Sequence, residues 1–448
     1  MVKLHRWHRR FGLTAGAVLF LLALTGFFLD HDQWRFLYAI RLPFTGHALK
    51  HAQMRLIEGY IVRPSRGNEA VVCSKRGIFV SADGASGFRP VLERTCNGLV
   101  ENGGKLYAAT DDGIYEEASE KRWRRLALPG AWVNTLSAHG QTLFASVDKS
   151  LLYLIDAAQG RILQSGEVKI GPKELGFAVK LSRFIRDLHY GRGLFEDPWS
   201  LALNDYGAWV LLWLSIGGFI LWWHIRRRRG GKGTRRFIRL HANVWSVAAI
   251  VPLSLLAVTG IFLDHAGALA GFMRSVTVPG ALLPPVYRSL RHDIWSVDYD
   301  GSTFRIGNRY GVYGSPDMKR WHLENRGFAY RLLRHGETLY ISGMGAPNRI
   351  LNAKGYAPLP HTPHMFKSVV ERPDGKRLFF SSHRPNLPLP RFEDATLYAL
   401  LLTLHDGSLF ADGWRWVNDY AAVALLLLFV TGTVRWWRLR FQKRQTMR

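Results

Sequence analysis

The chain has 448 residues, of which 48% are apolar and 21% charged, and its formal net charge is +26. That length allows more than one domain, and so basic a balance first suggests a nucleic-acid partner. The placement of the charge excludes one: 18 basic residues and no acidic ones crowd into 1–10, 224–240 and 435–448, leaving a basic excess of only 8 elsewhere.

These basic segments flank four runs almost free of charge, at about 11–29, 206–223, 242–263 and 420–434. The first three are long enough to cross a bilayer, and the fourth is if Trp416, Val417, Trp436 and Trp437 serve as interfacial ends. Trp222-Trp223 and Trp436-Trp437, followed by arginines, read as an aromatic belt at lipid headgroups, so soluble helices buried in a core are the weaker reading. Four crossings put all three basic segments on one side. The excess of Lys and Arg then predicts both termini cytoplasmic and the β-rich inserts external. No small-residue cleavage site follows the first span, which predicts an uncleaved signal-anchor.

In chain order, 1–40 is a cytoplasmic lead and first helix, closed by an interfacial stretch after His31. Residues 41–180 form a β-rich external insert. The second helix and a basic loop occupy 181–240, and the third helix 241–275. A second β-rich insert covers 276–390, and the fourth helix with a basic tail covers 391–448. In the first insert, Gly77–Ser81, Gly113–Tyr115 and Leu151–Leu154 recur 36 and then 38 residues apart. In the second, Tyr310–Tyr313 and Asn348–Leu351 are again 38 apart. Short antiparallel units at this interval suggest propeller blades, although an irregular sandwich gives similar local signals. Neither insert has enough units to close alone, so the two are expected to combine into one external propeller-like domain of roughly six blades. Ser81-x-Asp83 and Ser315-x-Asp317 read as turn-bracing boxes. Cys73 and Cys96 both fall in the first insert, where a disulfide and two buried thiols are equally compatible with the sequence. Gly230-Gly231-Lys232-Gly233 lacks the spacing and preceding strand of a phosphate loop and reads as a solvated linker.

The two halves repeat each other. RWHRRFGLTAGAVLFLLALTGFFLDH (6–31) returns as RLHANVWSVAAIVPLSLLAVTGIFLDH (239–265). Residues 187–224 return as 401–438, sharing Leu-His, a glycine two further on, Asn-Asp-Tyr, a helix glycine and Trp-Trp. Each half is helix, β-rich insert, helix, in the same orientation. The fold class expected is therefore a membrane α-helical four-helix bundle of two parallel repeats carrying an external β-rich domain.

Repetition also pairs the histidines: His8 with His241 at the cytoplasmic rim, and His31 with His265 and His189 with His405 at the external rim. A single imidazole at a membrane boundary is more often interfacial. Duplicated ones related by a two-fold axis face each other, and two facing neutral imidazoles are the axial ligands of a b-type haem. A zinc site would want more thiols or carboxylates than the spans offer. The copies differ by one residue between histidine and glycine (His8–Gly26, His241–Gly260), which makes His224 an alternative cytoplasmic ligand. Glycines 12, 16, 26, 217, 218, 260 and 432 read mainly as sites of close helix packing, with room for a flat macrocycle as the other reading.

The set Arg-x-His…Leu-Thr-Gly with Leu-His-x-Gly…Trp-Trp resembles the PepSY-associated transmembrane family, over roughly 160 residues of the helices and their rims. That resemblance implies four core helices, b-type haem held by rim histidines (His8, His241, His31, His265, His189, His405), and reduction of ferric siderophores on the periplasmic face. The β-rich inserts stand where a PepSY domain is expected. Rims about 30 Å apart ask for two haems. No dinucleotide fingerprint occurs, so membrane quinol or a separate reductase is the expected donor. The rival reading is a haem-free, membrane-anchored propeller that binds a ligand or assists assembly. A permease fits poorly, because no span carries a buried ionisable residue near its middle or a clear helix break.

Overall fold

The computed structural model describes residues 2–118, 122–227, 231–371 and 375–445. They divide into a helical unit (1–33, 180–277 and 398–448) and a β unit (34–179 and 278–397).

The helical unit contains α1 (Val2–Asp30), α2 (Leu181–His189), α3 (Trp199–Arg226), α4 (Lys232–His241), α5 (Val244–Ala248), α6 (Ile250–Asp264), α7 (Leu397–His405) and α8 (Arg415–Gln445). Helices α1, α3 and α8 are each long and apolar enough to span a bilayer. Only 28% of each apolar window is buried, and large side chains such as Trp209, Val251 and Val430 stand outward. Outward apolar surface of that extent is what lipid, not water, solvates. Inward, small and branched residues mesh in one cluster: Ala15, Leu19 and Ala23 of α1, Leu211 and Leu212 of α3, Leu253 and Ala257 of α6, and Ala421, Ala424 and Leu425 of α8. The chain is a membrane protein.

The third expected span is not one straight helix. It bends by 70° between α4–α5 and α6. Two residues explain the break. Asn243 leaves the helical region and caps α5, its side chain accepting from the Ser246 amide. Pro252 lacks an amide proton, and its ring would strike the Ala248 carbonyl if the helix ran through. The break also absorbs the extra residue that separates His241 from Gly260.

Among the described residues the β unit holds five four-stranded antiparallel sheets, spanning 57–92, 96–127, 133–167, 296–326 and 329–358, a sixth sheet of two strands, Ser368–Glu371 and Arg377–Phe380, and a short strand pair, Arg41–Leu42 with Ala395–Thr396. Within each of the six sheets, consecutive strands pair by short turns. The first strand of each sheet packs beside the first strand of the next, and the strand Ser368–Glu371 also lies against Ile57–Arg63 of the first sheet. The repeated units of the sequence are the third strands of five sheets. Three open on glycine at positive φ, Gly77, Gly113 and Gly311, where a Cβ would lie 2.5 Å or less from a carbonyl oxygen of the outer strand. Only glycine fits there. Asp83 and Asp317 brace the turns, each Oδ1 accepting from the preceding serine hydroxyl and from two backbone amides, and these bonds hold both carboxylates well below the usual range. Cys73 and Cys96 are joined in a buried disulfide that ties the first sheet to the second.

Candidate functional site

The repeated Leu-His-x-Gly sequences end α2 and α7. Gly191 and Gly407 adopt positive φ just past each histidine and turn the chain back. A second device locks those ends: Asn204 of α3 donates to the His189 carbonyl and to Asp30, and Asn418 of α8 donates to the His405 carbonyl. His189 and His405 are thereby aimed at each other, with ring centroids 6.4 Å apart.

Each ring rests on the opposite half of the repeat. His405 Nδ1 is 2.9 Å from Thr25 Oγ1 of α1, and His189 Nδ1 is 3.0 Å from Thr259 Oγ1 of α6. The same crossing occurs at the other end, where His8 Nδ1 lies 2.8 Å from Thr431 Oγ1 of α8. In all three the threonine hydroxyl donates to a helix carbonyl one turn earlier: Leu21 for Thr25, Leu255 for Thr259, Leu427 for Thr431. A hydroxyl has one proton. With that proton committed, the oxygen accepts from imidazole Nδ1–H, which leaves the lone pair on Nε2, the tautomer a metal requires.

The residue after each threonine is glycine, and it forms the floor under the ring. A Cβ on Gly26 would sit 3.3 Å from His405 Cε1, on Gly260 3.4 Å from His189 Cε1, and on Gly432 3.4 Å from His8 Cε1. His241 crosses to α3 in the same way, although Gly217 takes the place of threonine there. A Cβ on Gly217 would lie 2.9 Å from His241 Nδ1. Helix packing remains the account of Gly12, against Leu428, and Gly16, against Phe219; the five other glycines face histidines.

His31 and His265 are placed differently. His31 Nδ1 bonds the Phe27 carbonyl at 2.8 Å and its Nε2 faces Asp205 at 3.5 Å. His265 Nε2 lies 2.6 Å from Asp419. In both, Nε2 is turned to a carboxylate within the same half. His224 lies in the last turn of α3. Sequence reasoning saw Asn-Asp-Tyr and Thr-Gly only as marks of the repeat. The structure gives the asparagines, aspartates and threonines work, and their presence in both halves was the available signal.

Among the described residues no group of three or more His, Cys, Asp or Glu could hold a bare metal ion. What is present is paired neutral imidazoles over glycine, a donor set that suits haem iron. The model of the PepSY-associated TM region matches residues 5–438. The protein belongs to that family. No curated protein matches this family member. Among solved structures, the extracellular domain of a candidate one-component system from B. thetaiotaomicron is similar at 11% identity, 73% of this chain covered and TM-score 0.36. PorZ, a surface component of the type-IX secretion system of Porphyromonas gingivalis, is similar at 9% identity, 70% covered and TM-score 0.35. This PepSY-associated chain spans 31% and 28% of those chains, and neither likeness bears on its function.

Proposed function

We propose that the protein is an inner-membrane b-type haem protein that moves electrons across the bilayer to reduce a periplasmic ferric chelate of the siderophore type. The observation that carries this reading is the His189–His405 pair, 6.4 Å apart with each Nδ1 proton given to threonine. His189 and His405 would hold one haem. His8 and His241, with His224 as the alternative, would hold a second near the basic rim. The role of His31 and His265 is then to pair with Asp205 and Asp419 beside the outer site.

Bound haem would supply a reversible one-electron iron couple. The chain's own part is to keep the imidazoles neutral and oriented, to leave glycine where a flat ring must approach, and to keep water away with the apolar cluster of the helices. The spans are read as a four-helix bundle of two parallel repeats, supported by the reciprocal crossing of histidines between halves. The six sheets are read as a propeller, supported by the succession of first strands. The basic flanks support cytoplasmic termini and a periplasmic β unit. Iron(II) is held less firmly than iron(III) by hard oxygen ligands, so reduction would favour release. Membrane quinol or a separate reductase is the donor this reading calls for.

The test is a reduced-minus-oxidised spectrum of protein purified with ample haem supply. A b-type Soret and α band that His189→Ala and His405→Ala each diminish is expected. Colourless, folded protein would overturn the reading and leave the membrane-anchored binding or assembly module.

A further inference from the structure

We propose that the β unit carries a binding site for a small di- or tricarboxylate anion, in a cavity between the segment 173–177 and the outer strand of the fourth sheet, His322–Arg326. The cavity encloses about 340 Å³. Lys173, Glu174 and Phe177 line one wall, and Glu324, Asn325 and Arg326 of the strand line the other. That volume stands at the small end of the roughly 300–1,000 Å³ found for ligand pockets. The assignment does not depend on the haem reading.

The segment is fixed to the sheet at three points. The Glu174 carbonyl accepts from the Tyr313 hydroxyl at 2.5 Å, and Glu174 Oε2 accepts from the Leu323 amide at 3.0 Å. The Phe177 ring meets Tyr310 edge-on at 6.0 Å. A wall held by backbone, side chain and ring keeps its polar groups in place before a ligand arrives, which lowers the ordering entropy that binding costs.

Two acids and two cations line the cavity, and their partners decide which sign a ligand meets. Glu324 Oε2 accepts from Arg305 Nε at 3.0 Å and from the Tyr356 hydroxyl at 2.5 Å, while Oε1 faces His322 Nε2 at 3.9 Å. Glu174 is turned to the Leu323 amide. The cations are uncommitted: among the described residues Lys173 and Arg326 are exposed and form no ion pair. Asn325 Oδ1 accepts from Arg349 Nη1 at 2.6 Å, which leaves its amide NH2 as a further donor. The Arg326 guanidinium lies 4.5 Å from the Phe177 ring centroid. Stacking holds its planar fork ready for the bidentate pairing that a carboxylate offers. Lys173 supplies a second charge from the other wall. Cations on two walls call for two anionic groups on one small molecule, since a monocarboxylate engages one wall at a time.

The test titrates full-length protein in nanodiscs of zwitterionic lipid with citrate, glutarate, acetate and inorganic phosphate in turn, read by calorimetry. Saturable binding of citrate and glutarate that weakens as salt rises is expected, with acetate and phosphate weaker by roughly tenfold or more. Arg326→Gln and Lys173→Gln should each weaken citrate roughly tenfold, and Arg326→Lys, which keeps the charge but not the fork, should fall between wild type and Arg326→Gln. Lys319→Gln, in the turn before the same strand, should change nothing. All three side chains are exposed, so these variants leave the fold intact. Absence of saturable binding, acetate or phosphate binding as tightly as citrate, or citrate binding indifferent to both Gln variants would overturn the proposal. Haem plays no part in the readout, so a colourless protein that still binds citrate separates failure of the haem reading from failure of this one.

Discussion

The helical unit and the β unit treat duplication differently. In the helical unit several repeated polar residues have a repeated task. Asn204 and Asn418 hold helix ends, Asp205 and Asp419 face His31 and His265, and Thr25 and Thr259 orient His405 and His189. In the β unit the inserts share strand spacing but not equipment. The first supplies three four-stranded sheets and the disulfide, the second two such sheets and a strand pair. Glu58 of the first insert is joined to Arg331 and Lys367 of the second. Contacts made reciprocally between the two halves constrain both copies alike, whereas the inserts are under no such constraint.

Substitution of the histidines should break this comparison most severely. His189→Ala or His405→Ala would remove one of the two imidazoles proposed to hold the outer haem, and quantified haem should fall by about half if two are bound. His31→Ala and His265→Ala should leave haem content near wild type, because their Nε2 atoms face carboxylates; equal loss in all four would erase the distinction drawn here. Leucine at Gly26 or Gly260 should empty the outer site while sparing the inner one, since the side chain would take the space of the ring beside it. Thr25→Val and Thr259→Val keep shape but lose the acceptor, and haem affinity should drop roughly 10–100-fold in competition with apomyoglobin.

In the β unit the effects are thermodynamic. Cys73→Ser with Cys96→Ser opens a loop of sequence separation 23 and should cost about 3 kcal/mol, read as a lower unfolding midpoint of the β-sheet signal in urea. The smallest effect is on pH. Desolvation raises Glu58, but Lys367, Arg331 and Lys75 outweigh it and the net shift is downward. Stability from this group is therefore full above its ordinary value of 4.5 and lost as pH falls through the depressed one. Glu58→Gln should flatten that acid limb.

Much of this arrangement was legible in advance. The repeat and the apolar runs follow from the sequence, and the third strands of five sheets stand at the intervals read from Gly77, Gly113, Leu151, Tyr310 and Asn348. The bend at Asn243 and Pro252 was hidden because the apolar run continues across it. The threonine partners were hidden because each serves a histidine of the other half, a relation that no spacing within one half encodes. The ion pair of Glu58 with Arg331 was hidden for the same reason at greater range: the two are 273 residues apart.

The reciprocal crossing of the imidazoles has a consequence for how such a chain could arise. Neither half can furnish both a ring and its seat, so a single-copy ancestor would have had to associate with its twin before these imidazoles were seated. Joining the two copies by the short basic linker made that encounter unimolecular, freeing each insert to acquire features its sibling lacks.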